Sequence, residues 1–334
     1  HLIAASMCFA DSELVCKQNH HKCLATGAQF IDPKQRQNHL VCTGMSRINS
    51  GTNQSVAATL ETNSKRAFRM PVRKVAHSRI SDEAAAGVAA LFEQEKNVCL
   101  MHRNDKIARS ALGDLVRKSG GKEVNPFPAG RDLVRKVHDA AVHFSYSSRF
   151  DTMMEKADAV LQKDSFPRIR PKVDKNTTRV MARHGLFVST IRMNKPLQLY
   201  ATSLSGQKHD KGAKHPFVAL SDTEWKSTTE AEAVMNVTQA VSKLSQTEKK
   251  FTAAFGYAMK KTAIAKLRAT RMSVVKLAEV NSKPSLPRED VDVSTFTDVG
   301  KETLRRAALE AERRFCGNRT EELQYGDVEM SVAE

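Results

Sequence analysis

The sequence predicts a mainly α protein: helical domains with an irregular N-terminal arm and a small central β-hairpin. Three observations carry this expectation. Apolar residues recur at three- and four-residue spacing in several separate stretches. Capping residues precede those stretches, and glycine or proline follows them. The first 64 residues are instead rich in Asn, Gln, Ser, Thr and Gly, with little periodicity.

Residues 1–80 read as an irregular basic arm. Its last part, "KRAFRMPVRKVAHSRI", carries Lys65, Arg66, Arg69, Arg73, Lys74 and Arg79 with no acid between them. Pro71 keeps this run from being one regular helix. A helical domain is expected over 81–164. Ser81 can cap "DEAAAGVAALFEQEK", with Asp82 and Glu83 in the first turn and Val88, Leu91 and Phe92 at helical spacing. Asn104 can cap a second helix bearing Ile107, Ala111, Leu112, Leu115 and Val116, ended by Gly120 and Gly121. A third follows Pro126 and Pro128, with Leu133, Val134, Val137, Ala140, Ala141 and Phe144 as its stripe. A fourth runs from about Phe150 to Gln162.

Prolines at 167, 171, 196 and 216 punctuate an extended or hairpin linker region, 165–217. There "LFVSTIRM" and "LQLYATSL" read as strands flanking Asn194–Pro196. The second reads equally as a short helix opening after Pro196. A second helical region covers 218–325. Thr229 with Glu232, and Ser245 with Glu248, form capping boxes. The second box opens a helix expected to reach Val280, where "NSKPSLPRED" breaks it. A last helix runs from Asp298 to Phe315, ended by Gly317, before an acidic tail at 326–334.

Charge speaks to partners. Lys and Arg number 53 against 37 Asp and Glu, a net charge of +16, with a pI near 9.7. Such a balance favours polyanions: RNA, DNA or an acidic protein surface. Aromatics are only 6%, with Trp225 the single tryptophan. No run of 18 apolar residues is present, so no membrane span is expected. The six cysteines, Cys8, Cys16, Cys23, Cys42, Cys99 and Cys316, are too sparse for a secreted disulfide scaffold. The four N-x-S/T sequons, at Asn53, Asn176, Asn236 and Asn318, are read as chance in a non-secreted chain. The first residue is His1, not Met, which targeting cleavage, polyprotein processing or truncation would each explain.

One stretch could hold a metal. "CKQNHHKCLATGAQFIDPKQRQNHLVC" contains His20 and Cys23, then His39 and Cys42, each pair spaced H-x2-C. One tight turn per pair would aim four ligands at a tetrahedral zinc stapling residues 16–44. Cys16 or His21 could replace His20. The alternative is free thiols and polar histidines in an arm.

Two basic constellations suit phosphates. If one helix runs through 249–276, Lys249, Lys260 and Arg271 nearly coincide around its axis, with Lys250, Lys261 and Arg268 close to them. Phe251, Phe255 and Ala258 then point largely the other way. In 166–195, Arg168, Arg170, Lys172, Lys175, Arg179, Arg183, Arg192 and Lys195 face a single acid, Asp174. The extended "FPRIRPK" could thread between nucleic-acid helices. Solvated helix faces and a solubilising linker are the alternatives.

Two resemblances accompany this. "VSKLSQTEKKF" resembles the later part of an HMG box, and "NKPLQLYA" resembles its opening at Lys195, Pro196, Leu197 and Tyr200. Val241 stands where that family has Trp, and the aromatic is one position early. The resemblance spans Lys195 to about Arg271 and implies a helix at 195–204. "ARHGL" holds Arg183, His184 and Gly185, similar to the Arg-His-Gly of histidine phosphatases, which would make His184 a nucleophile toward phosphate. No G-x-G-x-x-G or G-x4-G-K-S/T appears.

The function expected from these residues is non-catalytic. The chain reads as a basic structural component of a large ribonucleoprotein, like an organellar ribosomal protein in the mitochondrial or other organellar matrix, binding RNA and several protein neighbours. Its phosphate contacts would be Lys65, Arg66, Arg69, Arg73, Lys74, Arg168, Arg170, Lys172, Arg179, Lys249, Lys250, Lys260, Lys261, Arg268 and Arg271. The alternatives are a helical protein of another assembly, a viral nucleocapsid or a cytoskeletal lattice, and an enzyme acting through Arg183-His184-Gly185.

Overall fold

A computed structural model describes residues 5–10, 22–32, 37–48, 52–75, 78–81, 95–98, 100–124, 126–162, 165–171, 182–204, 217–245 and 253–316. The fold is mainly α: among these residues ten α-helices accompany nine strands. The chain divides into two compact units, one of His1–Arg103 with Ser242–Ala258, the other of Asn104–Val241 with Met259–Glu334.

The first unit corrects the expectation of an irregular arm. Strands β1 (Ala5–Ala10), β2 (Lys22–Asp32), β3 (Gln37–Ile48), β4 (Ser78–Ser81) and β5 (Glu95–Val98) form one sheet in the order β3-β2-β1-β4-β5. The first three pair antiparallel, while β4 lies parallel to both β1 and β5. A register shift at Thr26/Gly27 interrupts the β2–β3 ladder. These strands are rich in polar residues and lack strict alternation, so pairing with distant segments, not local pattern, defines them. Ser81 ends β4 and is not a helix cap; the predicted helix after it lies, at 82–94, outside the described residues.

Helix α1 (Asn53–Phe68) begins at Thr52, whose hydroxyl accepts from Ser55 N at 3.3 Å. Val56, Ala57 and Leu60 bury its apolar side. Asn63, also buried, accepts from Ser46 Oγ at 2.8 Å. A Cβ on Gly44 would lie 3.0 Å from Asn63 Cγ, so this approach of helix to strand suits a glycine. A short helix α2 (Val72–Val75) follows at once.

The second unit keeps most of its predicted helices. Helix α3 (Leu100–Ala111) starts before Asn104, which is buried within it and does not cap it. Gly120 and Gly121, expected to end a helix, instead turn a hairpin between β6 (Arg117–Ser119) and β7 (Lys122–Val124). Both have positive φ, 56° and 79°, as the tight hairpin turn requires. Helix α4 (Pro128–His143) carries its proline in the first turn, where the missing N–H costs nothing. It buries Leu133, Val134, Val137, Ala140 and Ala141, as the stripe predicts. Helix α5 (Ser147–Val160) buries Phe150, Met153, Met154 and Ala157.

The expected central hairpin is two helices, α6 (Ala182–Arg192) and α7 (Asn194–Leu204). Pro196 sits in the first turn of α7, where no intrahelical donor is needed. Asn194 is no turn residue: its Nδ2 donates to Leu277 O at 2.9 Å. Phe144, Tyr200 and Phe217 meet edge to face, with centroids 5.1–5.4 Å apart, beside buried Met193, Leu197 and Trp225.

Helix α8 (Asp222–Ser245) starts well before the predicted cap at Thr229. Its capping box is Ser221 with Glu224: Glu224 Oε2 accepts from Ser221 N at 2.9 Å, and Ser221 Oγ from Glu224 N at 3.3 Å. Thr229 and Glu232, read as a cap, are buried inside the helix. The long helix expected through Val280 stops at Leu267, the end of α9 (Ala253–Leu267). Beyond it, β8 (Arg271–Val275) pairs antiparallel with β9 (Arg288–Asp292). The β-branched Val274 and Val275 pack into the core from this strand. The predicted Asp298–Phe315 helix is α10 (Asp298–Phe315), capped by Thr297. No described helix is long and apolar enough to cross a membrane.

Candidate nucleic-acid interface

The basic run at 65–74 folds into the end of α1 and the start of α2. Arg69 closes α1, its N–H donating to Lys65 O at 2.9 Å, with φ at 57° in the left-handed region. An arginine there costs about 1 kcal/mol of backbone energy that glycine would avoid. The turn is pinned from below. Ser64 Oγ donates to Met70 O at 2.8 Å, Val72 N donates to Glu61 Oε2 at 3.0 Å, and Val72 is fully buried. Glu61 also sits 3.4 Å from Lys65, a pair exposed enough to contribute little. Arg66, Arg69, Arg73 and Lys74 are exposed, and none is in an ion pair among the described residues. Four exposed cations thus lie together at one hydrogen-bonded corner.

The other predicted contacts fare differently. Arg168 donates to both oxygens of Asp158, at 2.6 and 2.5 Å. Arg170 lies 5.4 Å from the Phe150 ring centroid, a cation–π contact. Arg268 is ion-paired with Glu312. Arg271 is not on the helical face assigned to it: it opens β8 and donates to Asp290 O at 2.8 Å. The alignment of Lys249, Lys260 and Arg271 therefore fails, because the helix ends at Leu267. Lys261 is exposed on α9, and Lys260 is partly buried. Lys172, Arg179, Lys249 and Lys250 lie outside the described residues.

The zinc pattern meets a similar correction of its local geometry. Cys23 is the second residue of β2, and His39 and Cys42 lie within β3, so no tight turn joins the latter pair. The register sets Cys23 against Arg47, His39 against Phe30 and Cys42 against Gly27. Seven residues of strand thus separate the Cys23 and His39 rungs, about 23 Å at 3.3 Å per residue. One ion cannot gather both. His20, with Cys16 and His21, lies outside the described residues.

Arg183 and His184 sit in the first turn of α6, not at a strand end. Arg183 meets Asp114 at 2.6 Å, with side chains only 13% and 18% exposed. His184 Nε2 is 2.9 Å from Glu232 Oε1, which also accepts from Arg288 at 2.6 Å. Glu232 is wholly buried. Burial pushes its carboxyl up, but the hydrogen bonds from His184 and Arg288 outweigh this and hold it below the usual carboxylate range. The trio staples α6, α8 and β9. Sequence reading missed both Glu232 and Arg288 as partners; neither position has a local signal, since their meeting is tertiary.

Compared with known proteins, the chain matches no family model and no curated protein.

Several other cations of the second unit are also paired with acids. Arg131 meets Glu123 at 2.8 Å, and Lys136 is paired with Glu224. Glu302 holds Arg305 and Arg306 at 2.6 and 2.7 Å. Glu310 holds Arg313 and Arg314 at 2.5 and 2.6 Å. Many arginines of the second unit thus have an acid beside them, whereas Arg66, Arg69, Arg73 and Lys74 are in no ion pair among the described residues.

Proposed function

We propose that this chain is a non-catalytic basic component of a large ribonucleoprotein, binding RNA phosphates through the corner between α1 and α2. A single observation carries the reading: Arg66, Arg69, Arg73 and Lys74 are exposed together, with no ion pair among the described residues. Arg69 strengthens it, since a cation occupies a left-handed cap where glycine is cheaper. Guanidinium and ammonium groups at such a corner track phosphates without reading sequence. The helical second unit, where many arginines are paired with acids, would supply the surface for protein neighbours. An organellar ribosome, in the mitochondrion or another organelle, is the assembly this composition fits.

The test is RNA binding across a salt series with the full chain. Wild type should show affinity falling steeply with salt. Reversal of all four residues to Glu should weaken binding and reduce that slope while leaving the helical signal intact. Equal binding by the reversed variant sinks the proposal. Binding to an acidic protein lattice in preference to RNA would move the function to the other kind of assembly.

A further inference from the structure

A cleft of about 420 Å³ opens in the second unit between the end of α9, the turn at Asp292–Ser294 and the first turns of α10. We propose that it binds a nucleoside monophosphate group, either free or as one unit of a single strand. The floor is apolar: Leu267 and Leu304 are core residues exposing 2% and 6%, and Val293 packs against the same cluster. The rim is cationic. Lys301, Leu304 and Arg305 share one face of α10 at three- and four-residue spacing, and Arg268 stands on the opposite wall. Thr270 and Ser294 add hydroxyls.

The charges on this rim are not fully used inside the protein. Lys301 is exposed and in no ion pair among the described residues. Arg305 gives Nε and one terminal nitrogen to Glu302, and the Arg268 guanidinium is ion-paired with Glu312 through its Nε edge. A guanidinium has five N–H donors, so each retains donors for a second anion. Their side chains are 55% and 65% exposed. Asp292 is the one acid of the cleft, and its Oδ1 already accepts from Ser294 N at 2.8 Å. A short open cleft with an apolar floor suits a flat ring better than an acyl chain, and three cations at the rim suit a phosphate. The volume lies within the range of small-ligand sites.

This inference stands apart from the α1–α2 reading, and the experiment separates them. The full chain is titrated calorimetrically with adenosine monophosphate, adenosine and inorganic phosphate. Saturable binding of the nucleotide is expected, with adenosine and phosphate each weaker by at least about tenfold. Lys301→Glu should weaken the nucleotide by about tenfold or more, and Thr270→Trp, which fills the cleft from an exposed position, should block it. Thermal unfolding of both variants checks that they fold; Thr270→Trp and Lys301→Glu alter exposed residues, so either suffices if the other fails. Repeating the titration on the Arg66/Arg69/Arg73/Lys74 reversal should leave nucleotide binding unchanged. In that background, a six-nucleotide oligoadenylate binding more tightly than the monomer marks a strand as the source, and equal binding marks a free nucleotide. Absence of saturable nucleotide binding, equal affinity for phosphate alone, or unchanged binding in folded variants overturns the proposal.

Discussion

The corner between α1 and α2 and the body of the second unit are both rich in arginine, yet they dispose of the charge in opposite ways. In the second unit, carboxylates a few residues away or across the fold take up many of the guanidiniums: Asp158 holds Arg168, Glu312 holds Arg268, Glu232 holds Arg288. At the corner, Glu61 is the one nearby acid described, and it is shared between Lys65 and the N–H of Val72. The lesson is that a count of positive residues overstates the charge available to a partner. What matters is which cations have no acid within reach.

The comparison can be broken most severely at its buried end. Glu232→Ala leaves Arg288 and His184 without their shared, fully buried acceptor, and should cost about 3–5 kcal/mol of stability. Chemical denaturation read by helical signal measures it. A loss under 1 kcal/mol would mean that the trio is not the staple described.

Next comes the corner itself. The fourfold reversal should weaken RNA binding by about a hundredfold at low salt, and the salt slope should shrink by roughly one for each phosphate no longer neutralised. The matching change at Arg168 should alter binding less than about threefold, because that side chain already faces Asp158. Equal effects at both places would erase the contrast.

Acid sharpens it further. Glu232 and Glu310 titrate below the ordinary value of 4.5: burial raises each, and their basic partners outweigh it. Their stabilisation is complete above the unfolded value and is lost as pH falls through the lower folded value. Glu230 has the opposite sign. Burial dominates its hydrogen bonds from Thr297 and raises its carboxyl. Its contribution is present at pH below the unfolded value and fades as pH rises through the folded one. Urea midpoints should therefore fall on acidification below about pH 4.5, and Glu232→Gln should flatten that limb.

Smaller again is Arg69→Gly. It should relieve up to about 1 kcal/mol of backbone cost while weakening RNA binding severalfold, since one residue carries both strain and charge. The smallest expected effect concerns metal. In the β2–β3 register Cys23 and His39 do not converge, so purified protein should carry less than about 0.2 equivalent of zinc; a full equivalent would require a different pairing of these strands.

How much was legible varies along the chain, and residues show why. The stripe from Leu133 to Phe144 and the segment Thr297 to Phe315 declare themselves, because capping and helical spacing lie within one turn of each other. The box at Ser221 and Glu224 was equally local and readable, yet Thr229 and Glu232 offered the same spacing and drew the boundary inward. Arg66, Arg69, Arg73 and Lys74 were visible as charge, but that none is in an ion pair among the described residues was not. Arg271 was misplaced because "RMSVV" follows a helix without a break that the local pattern marks; its strand exists only because Arg288–Asp292 pairs with it.

By itself the sequence determined the helical character of the second unit, its apolar faces and the total charge. These follow from short-range rules: residue spacing, caps and composition. Only the tertiary structure decided that the N-terminal segment is a sheet, that Pro196 lies in a helix, and which cations remain open to a partner. Strand pairing and ion pairing join residues tens of positions apart, and their free energy depends on distances and burial that no local pattern encodes.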